Sequence, residues 1–423
     1  MALRRLARII RQNATASIAA AAALVTMLFV PPDAAYLGYF DLNTLACLFA
    51  LLAVIRALRN AGFFETIARA VVRRFKTLRG LGCALVGVTL VCSMFATNDM
   101  ALLMLLPLST VTLAQTGNER ALPFTFVMQA IAANLGGMIL PFGNPQNIFL
   151  NSRFGIALPD FLATMALPFA VSMALIAVCC AVGFKPRPLI ANGPRRTGRE
   201  PGEGVEGSGA LGRESTAKRE GAAVANAATP NAAAPAETPA LPRAKTVLYL
   251  ALFALSLGMV FRVVPFAVGV VIVAIALLFA DRRALAHVDW GLLATFALFF
   301  VFSGNMARIP AIQEFFSMLL GWSTLATSAL ASQVISNVPA AILLAPFVDG
   351  YQSLLVGVNI GGAGTLIASL ASLIAFNHFR AIKRGMRRPG IQALSTKRYL
   401  ALFSALNFGF LAVLLTVCLA AGY

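Results

Sequence analysis

Residues 97–101 read TNDMA, so a hydroxyl, an amide and a carboxylate stand together inside a long apolar region. Hydrocarbon offers such groups no hydrogen-bond partners, and they must be paired within the protein or lie against a water-filled cavity. A second version of the stretch, SNVPA at residues 336–340, occurs in the second half of the chain. The recurrence indicates a functional element rather than one misplaced polar residue.

The composition around these stretches is that of a membrane protein. The chain has 423 residues, of which 59% are hydrophobic and 12% charged, and its mean hydropathy is +0.82. Long apolar runs separated by short basic clusters predict a polytopic helical protein, and they lack the alternation of a transmembrane β-barrel. The net charge of +18 does not indicate a nucleic-acid partner, because the basic residues lie between apolar runs rather than on one face.

The positions of the basic residues predict the orientation in a bacterial-type inner membrane. Residues 1–14 carry four arginines and form a cytoplasmic tail, and the C-terminus is expected outside. Residues 185–245 are rich in Gly, Ala, Pro, Glu and Arg and have almost no large apolar side chains. Such a segment cannot bury enough surface to offset its ordering entropy, so we expect a disordered cytoplasmic linker there.

The two halves of the chain match each other in the same order. Hydroxyl, Asn, Ala, Leu and Pro recur in register through residues 97–107 and 336–346, and Asn134–Gly137 then matches Asn359–Gly362. The positions of the basic residues indicate that the early span of the first half runs from outside to inside, whereas its counterpart in the second half runs from inside to outside. The repeats are therefore inverted. We assign them to residues 15–184 and 265–423, with a connecting helix at 246–264.

The predicted fold is an all-α polytopic membrane protein with two inverted repeats. It has about nine crossing helices, two re-entrant hairpins and two broken helices. The hairpin tips are at residues 97–99 and 336–338, and the broken helices at 122–150 and 354–376. At Thr97 two full spans joined by an external turn are the alternative, but polar-tipped hairpins beside Gly-interrupted helices are typical of secondary transporters that bind cargo at the midplane.

The tips and breaks have distinct binding chemistry. A helix that begins inside the membrane presents unpaired N–H groups and suits an anion, whereas carbonyl oxygens of a Gly-rich break suit Na⁺. The alternative is that Thr97, Asp99 and Ser336 only cap the following helix. The candidate substrate- and ion-binding residues lie at a tip or a break: Thr97, Asn98, Asp99, Asn134, Gly136, Gly137, Asn144, Asn147, Ser336, Asn337, Asn359, Gly361, Gly362 and Thr365.

On these residues, and over nearly the whole chain apart from the linker, the sequence resembles the ion transporter superfamily of permeases with a citrate-transporter-like domain. That group includes divalent anion/sodium symporters, arsenite-permease-like proteins and certain Na⁺/H⁺ antiporters. The resemblance implies elevator-type movement and a homodimer. It also implies two Na⁺ sites, the first formed by Thr97, Asn98, Gly137 and Asn144 and the second by Ser336, Asn337, Gly362 and Thr365.

One tip position departs from the symporter pattern. Asp99 and Val338 stand where the symporters have threonine hydroxyls that hold substrate carboxylates. Asp99 would repel a dicarboxylate unless it is protonated or paired with a cation, and Val338 offers no hydrogen bond. Asp99 is therefore a candidate for coupling to H⁺ or Na⁺.

The sequence thus predicts a secondary active transporter of a small inorganic or organic anion, coupled to Na⁺ or H⁺, that works in the lipid bilayer and needs no cofactor. A Na⁺/H⁺ antiporter and an arsenite-type oxyanion exporter are the alternatives. An intramembrane enzyme would need a Ser/His, paired-Asp or HExxH arrangement, none of which the sequence contains. The cargo, the stoichiometry and the direction of transport stay open.

Overall fold

A computed structural model describes residues 14–189, 243–386 and 388–423. Within these ranges the secondary structure is helical, apart from one isolated β-bridge between Thr77 and Pro188. The predicted N-terminal tail (1–14) and linker (185–245) lie almost wholly outside the described residues. The linker prediction is wrong at its start, because residues 185–189 are hydrogen-bonded to the backbone of residues 76–78. Leu78 N donates to Arg187 O at 2.8 Å, and Leu189 N donates to Lys76 O at 2.9 Å.

The described part of the first half contains eight α-helices and three short 3₁₀ turns. The α-helices are α1 (Ala14–Met27), α2 (Leu42–Asn60), α3 (Phe63–Val72), α4 (Leu78–Phe95), α5 (Asn98–Gln115), α6 (Leu122–Gly136), α7 (Pro145–Phe154) and α8 (Leu158–Gly183). The 3₁₀ turns are Ala34–Tyr39, Glu119–Ala121 and Gly137–Ile139. The last of these separates α6 from α7 within the predicted broken helix.

The second half contains eleven described α-helices and one 3₁₀ turn, Ala345–Phe347. The α-helices are α9 (Arg243–Val260), α10 (Phe266–Ala280), α11 (Arg282–Ala286), α12 (Trp290–Met306), α13 (Pro310–Trp322), α14 (Thr324–Ile335), α15 (Asn337–Leu344), α16 (Gln352–Ile360), α17 (Leu370–Gly385), α18 (Pro389–Gln392) and α19 (Thr396–Ala420). The non-helical stretch between α16 and α17 lies within the second predicted broken helix.

Two aspartates show why corresponding helices begin where they do. Asp41 Oδ1 accepts a hydrogen bond from Thr44 N at 2.9 Å and starts α2, and Asp289 Oδ1 accepts one from Leu292 N at 2.9 Å and starts α12. A carboxylate at this position satisfies one of the four unpaired N–H groups of the first turn. The two matched residues therefore do the same local work in the two halves.

The helix lengths confirm an all-helical membrane protein. Six helices in the described ranges are long and apolar enough to cross a bilayer, or seven if the pair α12 and α13, bent by 97°, counts as one span. The predicted number of crossing helices was higher. The difference lies in shorter apolar helices such as α1 and α10, because a helix of 15 residues is only about 22 Å long against a hydrocarbon core of about 30 Å.

Burial distinguishes the centre of the protein from its lipid-facing surface. From Thr125 to Gly136, α6 is buried at every residue, and α16 is buried from Leu354 to Ile360. By contrast, α10 leaves Val268, Val271, Ile275 and Phe279 more than half exposed. A continuous apolar face of this kind is typical of a lipid contact.

The helices pack in two groups. In the first, α1 packs on α12, and α2 packs on α9 and α10. In the second, α6 contacts α4, α5, α17 and α19, and α14 contacts α16. The groups meet where α12 packs on α15 and α2 on α7. The broken helices and both tips thus belong to the second group.

Candidate functional site

The two tips join helices without the capping bonds that a purely structural role would need. α4 ends at Phe95 and α5 begins at Asn98, yet among the described residues the Thr97 side chain accepts no bond from the first turn. Ser336 makes none either, and its φ of +74° is rare for a residue with a side chain. Its Oγ instead donates to Ala368 O at 3.2 Å, beside the bond from Asn337 N to the same oxygen at 3.0 Å.

A carboxamide closes the break in the first half. Asn147, in the first turn of α7, donates from Nδ2 to the carbonyl oxygens of Gly137, Met138 and Leu140 at 3.4, 3.2 and 3.0 Å. Its Oδ1 accepts from Asn359 Nδ2 at 2.7 Å. Asn147 therefore holds the unwound backbone in place and joins it to the second half.

Asn134 joins the first tip to the second break. Its Oδ1 accepts from Asn98 Nδ2 at 3.2 Å and from Ser369 Oγ at 2.6 Å, and its Nδ2 donates to Gly362 O at 3.2 Å. All of these side chains are buried. Because a buried amide must find partners within the protein, this network fixes the first tip against both broken helices.

Asn359 makes the reciprocal connection from the second half to the first. Its Oδ1 accepts from Asn144 Nδ2 at 3.3 Å and from Gln146 Nε2 at 3.2 Å. These bonds use the N–H groups of both amides but leave their oxygens without a donor. Each amide nitrogen of the network thus donates at least one hydrogen bond, whereas the oxygens of Asn144 and Gln146 accept none.

Three buried amide oxygens in the first half have no hydrogen-bond donor among the described residues: Asn98 Oδ1, Asn144 Oδ1 and Gln146 Oε1. Two of them converge, since a Cβ added to Gly137 would lie 2.7 Å from Asn98 Oδ1 and closer still to Asn144 Oδ1. Leaving each oxygen without a partner costs about 1–3 kcal/mol. Such oxygens, with neutral partners around them, are the ligands that hard cations prefer.

At the second tip and its break, by contrast, the described amide oxygens have donors, and the unpaired ones of the second half, Asn305 Oδ1 and Asn407 Oδ1, lie elsewhere, on α12 and α19. Asn337 Oδ1 accepts from Val338 N at 2.9 Å. Gln333, which sequence reasoning missed, donates to Gly361 O at 2.8 Å and Ala363 O at 3.1 Å, and accepts from Thr365 N at 2.8 Å. There is no local signal in the sequence for this role, because Gln333 lies on α14 before the break at Ser336 and these partners are about thirty residues further along the chain.

The first tip also carries the charged group of the site. Asp99 lies in the first turn of α5, is partly exposed, and has no hydrogen-bond or ion-pair partner among the residues described. Arg59, at the end of α2, places its Nη1 3.8 Å from Met100 Sδ. Val338, which occupies the position of Asp99 in the second half, is half-buried and packs against the apolar core.

Corresponding residues make the same close contact in the two halves. A Cβ on Gly136 would lie 2.6 Å from Ser93 Oγ, and one on Gly361 would lie 2.8 Å from Ser332 Cβ. Ser93 precedes the first tip by the same interval as Ser332 precedes the second. The two glycines thus let each first hairpin helix approach its broken helix closely.

A cavity of about 730 Å³ separates the two helix groups away from the tips. Phe149 of α7 and Phe300 of α12 line it, with ring centroids 5.6 Å apart, together with Arg153, Arg262 and Arg308. Among the described residues that line it, none belongs to either tip. The amide network is therefore closed off from this side.

The predicted site residues thus fall into three sets. Seven are joined directly or through Gly137 in one network: Asn98, Asn134, Gly137, Asn144, Asn147, Asn359 and Gly362. Ser336, Asn337, Gly361 and Thr365 lie around Gln333 and Ala368 in the second half, and Gly136 packs on Ser93. Thr97 and Asp99 lie at the first tip without side-chain partners in the described chain.

Comparison with known proteins agrees with this build. The family model for citrate transporters (CitMHS) matches residues 5–376. The chain is 31% identical over 339 residues to inner membrane protein YbiR of Escherichia coli, covering 79% of each chain. It is 27% identical to an uncharacterized transporter of Methanocaldococcus jannaschii over 78% of this chain and 79% of that one.

A shorter part of the chain matches a transporter that is named for its cargo. The silicon efflux transporter LSI3 of Oryza sativa subsp. japonica is 35% identical over 133 residues, which are 31% of this chain and 27% of that protein. The family model spans most of the chain, and the bacterial relative is similar over most of both lengths. The protein is a membrane transporter and belongs to the CitMHS citrate transporter family.

Proposed function

We propose that the protein is a secondary active transporter that moves a small inorganic or organic anion, coupled to Na⁺ or H⁺. The observation that carries the proposal is the convergence of Asn98 Oδ1 and Asn144 Oδ1 at Gly137 without donors. Neutral amide oxygens cannot take up a proton at physiological pH, so this position favours Na⁺. A proton would instead be carried by Asp99.

The surroundings of the first tip support an anionic cargo. Among the described residues, the backbone N–H groups of Asn98, Asp99 and Met100 have no acceptor. They form the positive end of α5, and Arg59 Nη1 lies 3.8 Å from the side-chain sulfur of Met100 in the same turn. A cation bound at Gly137 would add positive charge and offset the carboxylate of Asp99. The family model is named for citrate and one partial relative for silicon efflux, so we take both an organic and an inorganic compound as candidate cargo.

We further infer inverted repeats and elevator-type alternating access in a homodimer. The two helix groups meet along few helices and enclose a cavity between α7 and α12, an arrangement in which one group can slide against the other. The pairing of α5 with α17 recurs as that of α15 with α7, which supports a two-fold relation between the halves. The basic tail then places the N-terminus in the cytoplasm and the C-terminus outside.

One observation favours a Na⁺/H⁺ antiporter as the second candidate. Asp99 is the one carboxylate at the tips, and it has no ion-pair partner within the described ranges. A carboxylate that binds Na⁺ and H⁺ in turn needs no anion. In that case Asp99 would be the carrier rather than a group that a cation neutralises.

Uptake into proteoliposomes distinguishes these functions. Purified protein is reconstituted and offered radiolabelled phosphate, sulfate, silicate, arsenite, succinate and citrate under an inward Na⁺ gradient, an inward H⁺ gradient or neither. We expect at least one of these compounds to accumulate only with a gradient, and Asn98→Ala to abolish the accumulation.

Asn118→Ala is the matched control, since Asn118 bonds only locally at the far end of α5. Proton release on addition of Na⁺, with no labelled compound accumulating, would establish the antiporter instead. Equilibration that needs no gradient would refute both.

A further inference from the structure

Gln333 fills the second broken helix with its side chain. The carboxamide Nε2 donates to the carbonyl oxygens of Ala329, Gly361 and Ala363 at 3.0, 2.8 and 3.1 Å. Its Oε1 accepts from Thr365 N at 2.8 Å, and its own backbone oxygen accepts from Thr365 Oγ1 at 2.8 Å. The amide therefore sits inside the loop and uses both of its polar atoms.

The loop is shaped around this amide. Gly364 has a φ of +130°, which residues with a side chain rarely adopt, and a Cβ there would collide with Gln333 Oε1. Only glycine meets both conditions at once. The close approach indicates that the loop backbone and the Gln333 carboxamide form one unit.

Carbonyl oxygens that an unwound helix turns inward are suited to a cation. An amide NH₂ offers partial positive charge to the same oxygens and holds them in a similar arrangement without adding a net charge. Two further oxygens beside this break are also satisfied, because Asn337 Oδ1 accepts from Val338 N, and Gly362 O accepts from Asn134 Nδ2. At the second tip and break, therefore, no described amide oxygen is left for a cation to satisfy.

The first half differs at the corresponding position. When the tips are aligned, Met94 stands in place of Gln333, and its partly buried thioether cannot donate to a carbonyl. Asn147 bonds the carbonyls of that break, but Asn98 Oδ1 and Asn144 Oδ1 remain without donors. In the first half, Asn98 Oδ1 and Asn144 Oδ1 therefore lack a donor, whereas in the second half the Gln333 carboxamide donates to the oxygens of the break.

We propose that Gln333 is a fixed occupant of the second cation position, so that each protomer binds one Na⁺, in the first half only. The inference rests on the proposed function in one respect, namely that the first half binds a cation. It adds the stoichiometry, and it identifies the side chain that sets it.

Equilibrium binding of ²²Na⁺ to the purified full-length protein tests this stoichiometry. Wild type should bind one Na⁺ per protomer, and Gln333→Ala, which exposes the carbonyl oxygens, should bind two. Gln313→Ala is the control and should bind one, because Gln313 also donates to a backbone carbonyl but lies in an exposed position. Two Na⁺ in wild type, or one Na⁺ in both wild type and folded Gln333→Ala, would overturn the inference.

The outcomes also separate this inference from the proposed function. No Na⁺ in wild type but one in Gln333→Ala would refute the cation site at Gly137 while supporting the role of Gln333. No Na⁺ in either would refute both.

If Gln333→Ala does not fold, the isosteric Gln333→Glu replaces it. Its carboxylate would face carbonyl oxygens, so Na⁺ at pH 8 should raise its melting temperature by more than that of wild type. An equal rise in the two proteins would contradict the role assigned to Gln333.

Discussion

The substitution Gly137→Ala places one methyl group where we locate the cation. The added Cβ would lie 2.7 Å from Asn98 Oδ1 and still closer to Asn144 Oδ1, so it fills the space between the two ligands. Crowding of this kind costs about 1–3 kcal/mol of stability in any buffer. The specific effect is different, because the methyl group excludes Na⁺.

The magnitude follows from ligand linkage. At a Na⁺ concentration of about 100 times the dissociation constant, a bound ion stabilises wild type by about 2.7 kcal/mol relative to choline. For a chain of 423 residues that is a rise in melting temperature of roughly 3 °C. Gly137→Ala should show no such rise, whatever its starting temperature.

The assay is thermal unfolding of detergent-purified protein in NaCl and in choline chloride at equal ionic strength. Gly87→Ala on α4 is the matched control, because a Cβ at Gly87 would meet no described atom within 4 Å. It should keep the full difference between the two salts. If Gly137→Ala also keeps it, the cation does not bind between Asn98 and Asn144.

Three further predictions concern coupling, movement and the exposed loops. If Asp99 couples transport to an ion, Asp99→Asn should abolish the ion dependence of uptake, and unchanged dependence would refute that role. If α7 slides past α12, cross-linking Phe149→Cys with Phe300→Cys in a cysteine-free protein should reduce uptake to background. Cross-linking Phe296→Cys with Phe300→Cys, both on α12, is the control and should leave uptake unchanged. Equal uptake by the two cross-linked proteins would argue against sliding. Arg308 donates to Asp33 at 2.7 Å in an exposed ion pair and lowers the pKa of that carboxyl from its ordinary 3.8. A lowered pKa adds stability that is fully present above the ordinary value and is lost as the pH falls through the lowered one. Asp33→Asn should therefore lower the melting temperature slightly at pH 7, by roughly a degree or less, and by progressively less as the pH falls below 3.8; an effect independent of pH would contradict the pairing.

The sequence was sufficient for features that depend on local chemistry. Apolar run length predicts the membrane class, and Gly136 and Pro145 stand at the ends of helices because glycine and proline interrupt a helix. The capping aspartates Asp41 and Asp289 follow from the same local rules.

Features that depend on distant contacts could not be predicted in this way. Gln333 finds its partners about thirty residues further along the chain, so only the folded structure shows that its amide enters the loop. The start of the predicted linker fails for the same reason, since Leu189 pairs with Lys76 from across the chain. The number of crossing helices depends on bends such as the 97° turn before Pro310, whose angle the composition does not specify.

A high-resolution cryo-EM map of the purified protein in NaCl, compared with one in choline chloride, tests the cation assignment most directly. We predict a Na⁺-dependent density in contact with Asn98 Oδ1 and Asn144 Oδ1, and none beside the Gln333 carboxamide. The same two oxygens hydrogen-bonded to protein donors in both salts, with no density between them, would contradict the account.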